Sequence, residues 1–192
     1  MKNIIKVTSI ALFLSFALFG LTNKASAAKL TLYCSVEIDV CEMLEQAYEK
    51  ETGTKVAMTR ASSGETFAKI KAESSNPKGD VWFGGTGDPH LTAAQENLTE
   101  KYKSSHFNDL LPAAQNQAKN ADYKSVGIYV GALGFGYNKD LLAKKGLPAP
   151  KSWMDLTKPI YKGEIQVANP NSSGTAYTTL ATILQIFGED KG

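Results

Sequence analysis

The chain is 192 residues long, 43% hydrophobic and 21% charged, with 21 Lys+Arg against 19 Asp+Glu. Without Lys2, Lys6 and Lys24 the balance is 18 against 19, a net charge of −1, so the slight basicity belongs to the first residues. No long block of like charge occurs, which excludes the electrostatic footprint of a nucleic-acid binder.

Residues 1–27 read as a cleavable signal peptide. Lys2 and Lys6 form a basic start, and Ile10 to Leu21 is an apolar run shorter than a membrane-spanning helix needs. Ala25-Ser26-Ala27 is an A-x-A cleavage site, so the exported chain is expected to begin at Ala28, an uncleaved anchor being the alternative. No cysteine lies at the cleavage point, which argues against a lipid anchor. The remaining 165 residues suffice for one sizeable core.

The two cysteines, Cys34 and Cys41, both lie beyond that point. An even count in an exported chain favours one disulfide, with two free thiols as the alternative. The bridge would staple a strand–helix corner and contribute at most about 2–3 kcal/mol over so short a loop. C-x6-C fits no common zinc pattern.

In chain order, Lys29–Cys34 alternates and is rich in β formers, which predicts a strand. Ile38–Thr52 carries a helical stripe at Ile38, Cys41, Leu44, Ala47 and Tyr48, and Gly53 stops it. Lys55–Thr59 is a second strand, Ala61 to Glu65 a turn ending in a cap, and Phe67–Glu73 a helix. Asp80–Phe83 is a third strand. It breaks into Gly84, Gly85, Thr86 and Gly87, and Asp88-Pro89 reads as N-cap and first position of a polar helix over 88–98. This βαβαβα order predicts a parallel sheet with helices on its faces. Residues 100–125 read as polar and irregular. Ser125–Asn138 interleaves apolar residues with Gly127, Gly131, Gly134 and Gly136, which predicts two crossing strands broken at Gly131, since glycine inside a helix costs about 1 kcal/mol each. A helix follows over 139–145, a short one over 152–156 capped by Ser152, a strand over 164–168, a turn over 169–175, and an apolar helix over 176–187.

Three segments share one design: Ser62-Ser63-Gly64, Gly84-Gly85-Thr86-Gly87 and Ser172-Ser173-Gly174-Thr175. In each, small and hydroxyl-bearing residues lead into a helix whose first N–H groups are unsatisfied and carry about half a positive charge. Parallel sheets gather such ends on one edge, where ligands bind. The pattern predicts a grip on an anion or oxyanion, simple helix capping being the alternative for each Ser and Thr. Nothing catalytic assembles beside it. His90 and His106 fall in polar contexts that read as exposed, no G-x-S-x-G or H-E-x-x-H occurs, and a hydrolase using Ser62 or Ser63 finds no base. Tyr33, Tyr129, Tyr137, Tyr161 and Tyr177 are candidate ligands for a hard metal or stacking surfaces, with a place in the core as the default for most of them.

The segments LYCSVEIDVC, YEKETGTKV, SSGETFAKIKAE, NPKGDVWFGGTGDPH, VGALGFGYNKDLL, WMDLTKPIYKGEIQVANP and SSGTAY occur in order across 30–187. In them the sequence resembles the extracytoplasmic solute-binding proteins of ABC importers, in the ferric-iron-binding branch with its hexose-phosphate-binding relatives. The resemblance implies a type II periplasmic-binding-protein-like α/β fold with open, mostly parallel sheets. A first lobe would span 28–125, crossover strands 126–138 and an incomplete second lobe 139–192. It implies no enzyme activity, no nucleic acid, no resident cofactor, a periplasmic monomer, and an inner-membrane permease as partner. The ligand-facing residues it implies are Cys34, Ser35, Ser62, Ser63, Gly64, Gly84, Gly85, Thr86, Tyr129, Ser172, Ser173, Gly174 and Thr175, with Tyr129 and Gly131 on the crossover that forms the hinge. The cargo it implies is a phosphorylated organic molecule, such as a sugar phosphate or phosphonate, or ferric ion. The adjacent tyrosines of ferric members lie beyond residue 192, so a metal set is left open. A non-functional shortened remnant is the alternative reading.

Overall fold

Three parallel strands set the frame of the first hundred residues. The computed structural model describes residues 29–192, so the signal segment and the start at Ala28 lie outside the described residues. β1 (Lys29–Cys34) is central, flanked by β2 (Lys55–Arg60) and β3 (Val81–Phe83). Cys34 stands opposite both Arg60 and Phe83, so the three C-terminal ends finish side by side. The family-like open α/β sheet predicted from the sequence is present.

Alternation along the strands builds the core. Leu32 and Cys34 are buried with Cys41, and Leu30, Val36, Val56, Met58 and Phe83 pack against them. Cys41 lies on α1 (Ile38–Thr52) and is bonded to Cys34, and no free cysteine is found among the described residues. Gly53, at φ 70°, ends α1 and returns its N–H to the Glu49 carbonyl. On the opposite face of β1, Tyr33 is buried and donates its hydroxyl to Glu73 at 2.7 Å.

Three helices begin earlier than their patterns suggest. α2 (Ser63–Ala72) starts four residues before Phe67, because Glu65 turns back to accept the Ser62 N–H and hydroxyl and so closes the first turn. α3 (Gly87–Gln95) takes Thr86 as N-cap, which leaves Asp88 in its first turn, and it ends three residues short of Leu98. The stretch expected to be irregular holds a 3-10 turn over Phe107–Asp109 and α4 (Pro112–Asn120). α4 has proline in its first turn but only Ala118 buried, too little apolar face for a periodic signal.

The strands expected over 125–138 and 164–168 are not formed. A strand exists only where a neighbour exchanges N–H···O bonds with it, and among the described residues none lies alongside either segment. Val126, Ile128, Tyr129, Val130, Ile165 and Val167 stay exposed. α5 (Lys139–Lys145) is capped by Asn138, and 3-10 turns over Trp153–Thr157 and Pro159–Tyr161 follow. α6 (Gly174–Phe187) begins two residues before Ala176, with Ser173 as N-cap. Of the five tyrosines, most of them expected in the core, only Tyr33 and Tyr161 are buried, while Tyr129, Tyr137 and Tyr177 are exposed. No helix among the described residues is long and apolar enough to cross a membrane.

Candidate functional site

The aligned strand ends bring Ser35, Ser62 and Gly84 onto one edge. Ser35 N–H donates to the Phe83 carbonyl at 2.8 Å, and Ala61 N–H donates to the Cys34 carbonyl at 3.1 Å. Cys34, implied above as ligand-facing, is a correction: it is fully buried, its sulfur is bonded to Cys41, and it offers no side-chain atom to a ligand. Ser35 Oγ accepts the Trp82 indole N–H at 3.0 Å and lies 3.1 Å from Thr66 Oγ1.

The loop after β3 is held by contacts that exclude side chains. Gly84 and Gly85 sit at φ 77° and 91°, in the region where L side chains are strained. A Cβ on Gly84 would lie 2.4 Å from Val36 Cγ1, and one on Gly85 2.2 Å from Ser63 Oγ. The Tyr129 hydroxyl donates to the Gly85 carbonyl and accepts the Gly85 N–H, each at 2.8 Å. Thr86 N–H donates to Ser63 Oγ at 3.1 Å. His90 reaches back from α3 and stacks on Trp82, with ring centroids 3.6 Å apart. Its Nε2 lies 2.8 Å from the Gly84 carbonyl, which can only accept, so Nε2 carries the proton. Burial holds the His90 pKa below its ordinary value, against the pull of that carbonyl. The exposed position expected for His90 is therefore wrong, because the flat face of Trp82 covers the ring. His106 is exposed, as expected.

The third segment closes directly on the first two. Gly64 N–H donates to the Ser172 carbonyl at 2.9 Å. Ser62 Oγ lies 2.7 Å from that same carbonyl and 2.7 Å from Glu65 Oε2, so one proton serves two acceptors. The donors on Ser62 hold the Glu65 carboxyl below its usual range, the side-chain hydroxyl first and the backbone N–H second. Gly174 is buried, and a Cβ there would lie 2.2 Å from Thr86 Oγ1 and 2.8 Å from Ser63 Oγ. Ser173 Oγ accepts the Ala176 N–H at 3.3 Å, and Thr175 is exposed. Thr86 Oγ1 is buried with no hydrogen-bond partner. The first turns of α2, α3 and α6 thus meet in one cluster of small and hydroxyl-bearing residues. Their dipoles favour negative charge there. Gly131 stays outside it, with nothing within 4 Å of where its Cβ would be.

Residues 80–192 match the family model described as bacterial extracellular solute-binding protein. The chain belongs to that family. It is 45% identical over 190 residues to an uncharacterized protein of Haemophilus influenzae, covering 96% of this chain and 55% of that protein. It is also 45% identical to the periplasmic binding protein AfuA of Actinobacillus pleuropneumoniae, solved with fructose-6-phosphate bound. That match has a TM-score of 0.82 and covers 86% of this chain and 52% of the other. Iron-bound HitA of Pseudomonas aeruginosa, at 20% identity and a TM-score of 0.60 over 85% of this chain and 51% of its own, shares the fold alone. The chain spans about half the length of these relatives.

Within this solute-binding protein, reasoning from the sequence missed Val36, Thr66, Trp82 and His90 as supports of the loop. Only Trp82 and His90 left a trace, as rings lying a few residues to either side of the glycines. An open concavity elsewhere is lined by Ile165, Gln166, Val167 and Ala168 and includes none of the expected site residues. No three His, Cys, Asp or Glu side chains among the described residues gather to hold a metal.

Proposed function

We propose that this protein is the solute-capturing component of an ABC importer, working in the periplasm after export by its signal peptide. It takes a small phosphorylated or phosphonate-bearing organic solute and passes it to an inner-membrane permease. In this reading 28–125 is the first lobe, 126–138 the crossover and 139–192 the start of the second. No resident cofactor and no catalytic step are involved. The observation that carries the proposal is the meeting of three helix starts at Ser62–Gly64, Gly84–Thr86 and Ser172–Thr175. Backbone N–H groups and hydroxyls at such a junction match the oxygens of a phosphate. The sugar-phosphate-bound relative, at far higher identity than the iron-bound one, supports the same cargo class.

A thermal-shift panel tests this. Fructose 6-phosphate, 2-aminoethylphosphonate, inorganic phosphate and ferric ion are each added to the protein. A solute at a hundred times its Kd adds about 2.7 kcal/mol of stability. A rise in Tm with a phosphorylated or phosphonate probe is expected. A rise with ferric ion alone moves the cargo to iron, and no rise with any probe overturns the reading.

A further inference from the structure

We propose that His90 ties solute capture to pH: an anion held at the Gly84–Thr86 loop draws a second ring proton onto His90, and affinity for an anionic solute therefore rises as the pH falls. The inference rests on the solute-binding reading for the anion and adds the regulation of that site. His90 lies in the first turn of α3, directly behind the loop. Its Nε2–H donates to the Gly84 carbonyl at 2.8 Å, and its ring stacks on Trp82 with centroids 3.6 Å apart. Trp82 in turn donates its indole N–H to Ser35 Oγ at 3.0 Å. The ring is thus fixed from two sides, within one hydrogen bond of the loop.

The second proton has a place on the ring. Nδ1 makes no hydrogen bond among the described residues and is not a buried orphan, so solvent reaches it. The face of Trp82 attracts a cation, so the ring can charge without leaving its stack. Two things oppose the charge: burial, which holds the pKa below its ordinary value, and the positive end of α3. An anion at the start of α3 offsets both. The charged groups on the surrounding elements are engaged elsewhere or face water. Asp88 on α3 is exposed, Glu65 on α2 is tied to Ser62, and Asp80, just before β3, accepts the Thr31 N–H at 2.7 Å. Lys71 of α2 pairs with Glu96 at the far end of α3, at 2.8 Å. The Tyr129 hydroxyl is engaged with Gly85. His90 is left as the group beside the loop whose charge changes near neutral pH.

The test follows both sides of the coupling on the 192-residue chain. The imidazole C2–H of His90 is titrated by proton NMR with and without saturating fructose 6-phosphate. The chain has 2 histidines, so the signal that persists in His106→Gln assigns it, and the exposed His106 ring is the internal control. By reciprocity, a solute bound about tenfold more tightly to the protonated form raises the His90 midpoint by about one pH unit, and a rise of this size is expected. Calorimetry then gives Kd on either side of the histidine range, at about pH 5.5 and about pH 8. The second ionisation of the phosphate, at about pH 6, enters wild type and His90→Gln alike. The gain in affinity at the lower pH is expected to be about tenfold larger in wild type than in His90→Gln. Equal pH dependence in the two proteins, or an unmoved His90 midpoint with the solute bound, overturns the coupling and leaves the solute reading standing. No binding by either protein at any pH overturns both. If His90→Gln does not fold, the wild-type NMR titration decides.

Discussion

A hydroxyl buried without a partner destabilises the protein that carries it by about 1–3 kcal/mol, and Thr86 Oγ1 is in that position. Thr86→Val keeps the shape and removes the orphan. It is expected to raise the Tm of the solute-free protein and to weaken fructose 6-phosphate binding by about tenfold or more, as calorimetry of both would show. A lower Tm would mean that the hydroxyl is satisfied by something else. Gly84 is constrained twice, by φ 77° and by Val36 at 2.4 Å from its absent Cβ. Gly84→Ala is expected to cost about 2 kcal/mol or more in urea unfolding, from left-handed backbone and overpacking together. His90 gives a pH dependence of definite sign. Its folded pKa lies below the ordinary value, so the unfolded chain takes up the proton first. Stability is fully present above the ordinary histidine range, near pH 6.5, and is lost as pH falls from there towards the depressed folded pKa. His90→Gln is expected to flatten this limb of the Tm–pH curve and also to lower Tm at pH 8, since the stacking on Trp82 is lost.

Elements were legible in proportion to how local their causes are. α1 runs from Ile38 to Thr52, as its apolar stripe and Gly53 require, and α5 lies between its Asn138 cap and Gly146. The start of α2 is not legible locally, because Ser62 and Glu65 look like turn residues until they pair with each other. α4 gives no periodic signal because its interior residues are alanine, glutamine, asparagine and lysine, with no apolar face to reveal the period. At this scale the Cys34–Cys41 bridge matters most, since it ties β1 to α1 one residue before Ser35. Replacing both cysteines by alanine is expected to lose at least about 2 kcal/mol in urea unfolding. An undiminished midpoint would show that the eight-residue corner holds without it.

For the whole molecule the dominant fact is exposed apolar surface. Val130 and Val167 are 85% and 67% exposed, and Val126, Ile128, Ile165, Leu180, Leu184 and Ile186 add to them. Scattered apolar residues on a surface are ordinary, but runs within 126–130 and 165–167 are not. The described chain is expected to bind an apolar reporter dye such as ANS under native conditions. Val130→Lys combined with Val167→Lys is expected to lower that signal without a loss of helix by circular dichroism. Dye binding equal to that of a compact monomer would show that these faces are covered in solution.

By itself the sequence determined the parallel βαβαβα frame and the three small-residue segments that lead into helices. These depend on alternation, on caps and on glycine, all of which act within a few residues. Only the tertiary structure decided that those segments touch, that the Ser172 carbonyl takes the donors of Ser62 and Gly64, and that His90 lies under Trp82. It also decided that 125–138 and 164–168 do not pair, whatever their composition favours. The physical reason is common to all of these outcomes. A hydrogen bond or a ladder needs a partner, and that partner is brought by chain distant in sequence, 110 residues away in the case of Ser62 and Ser172.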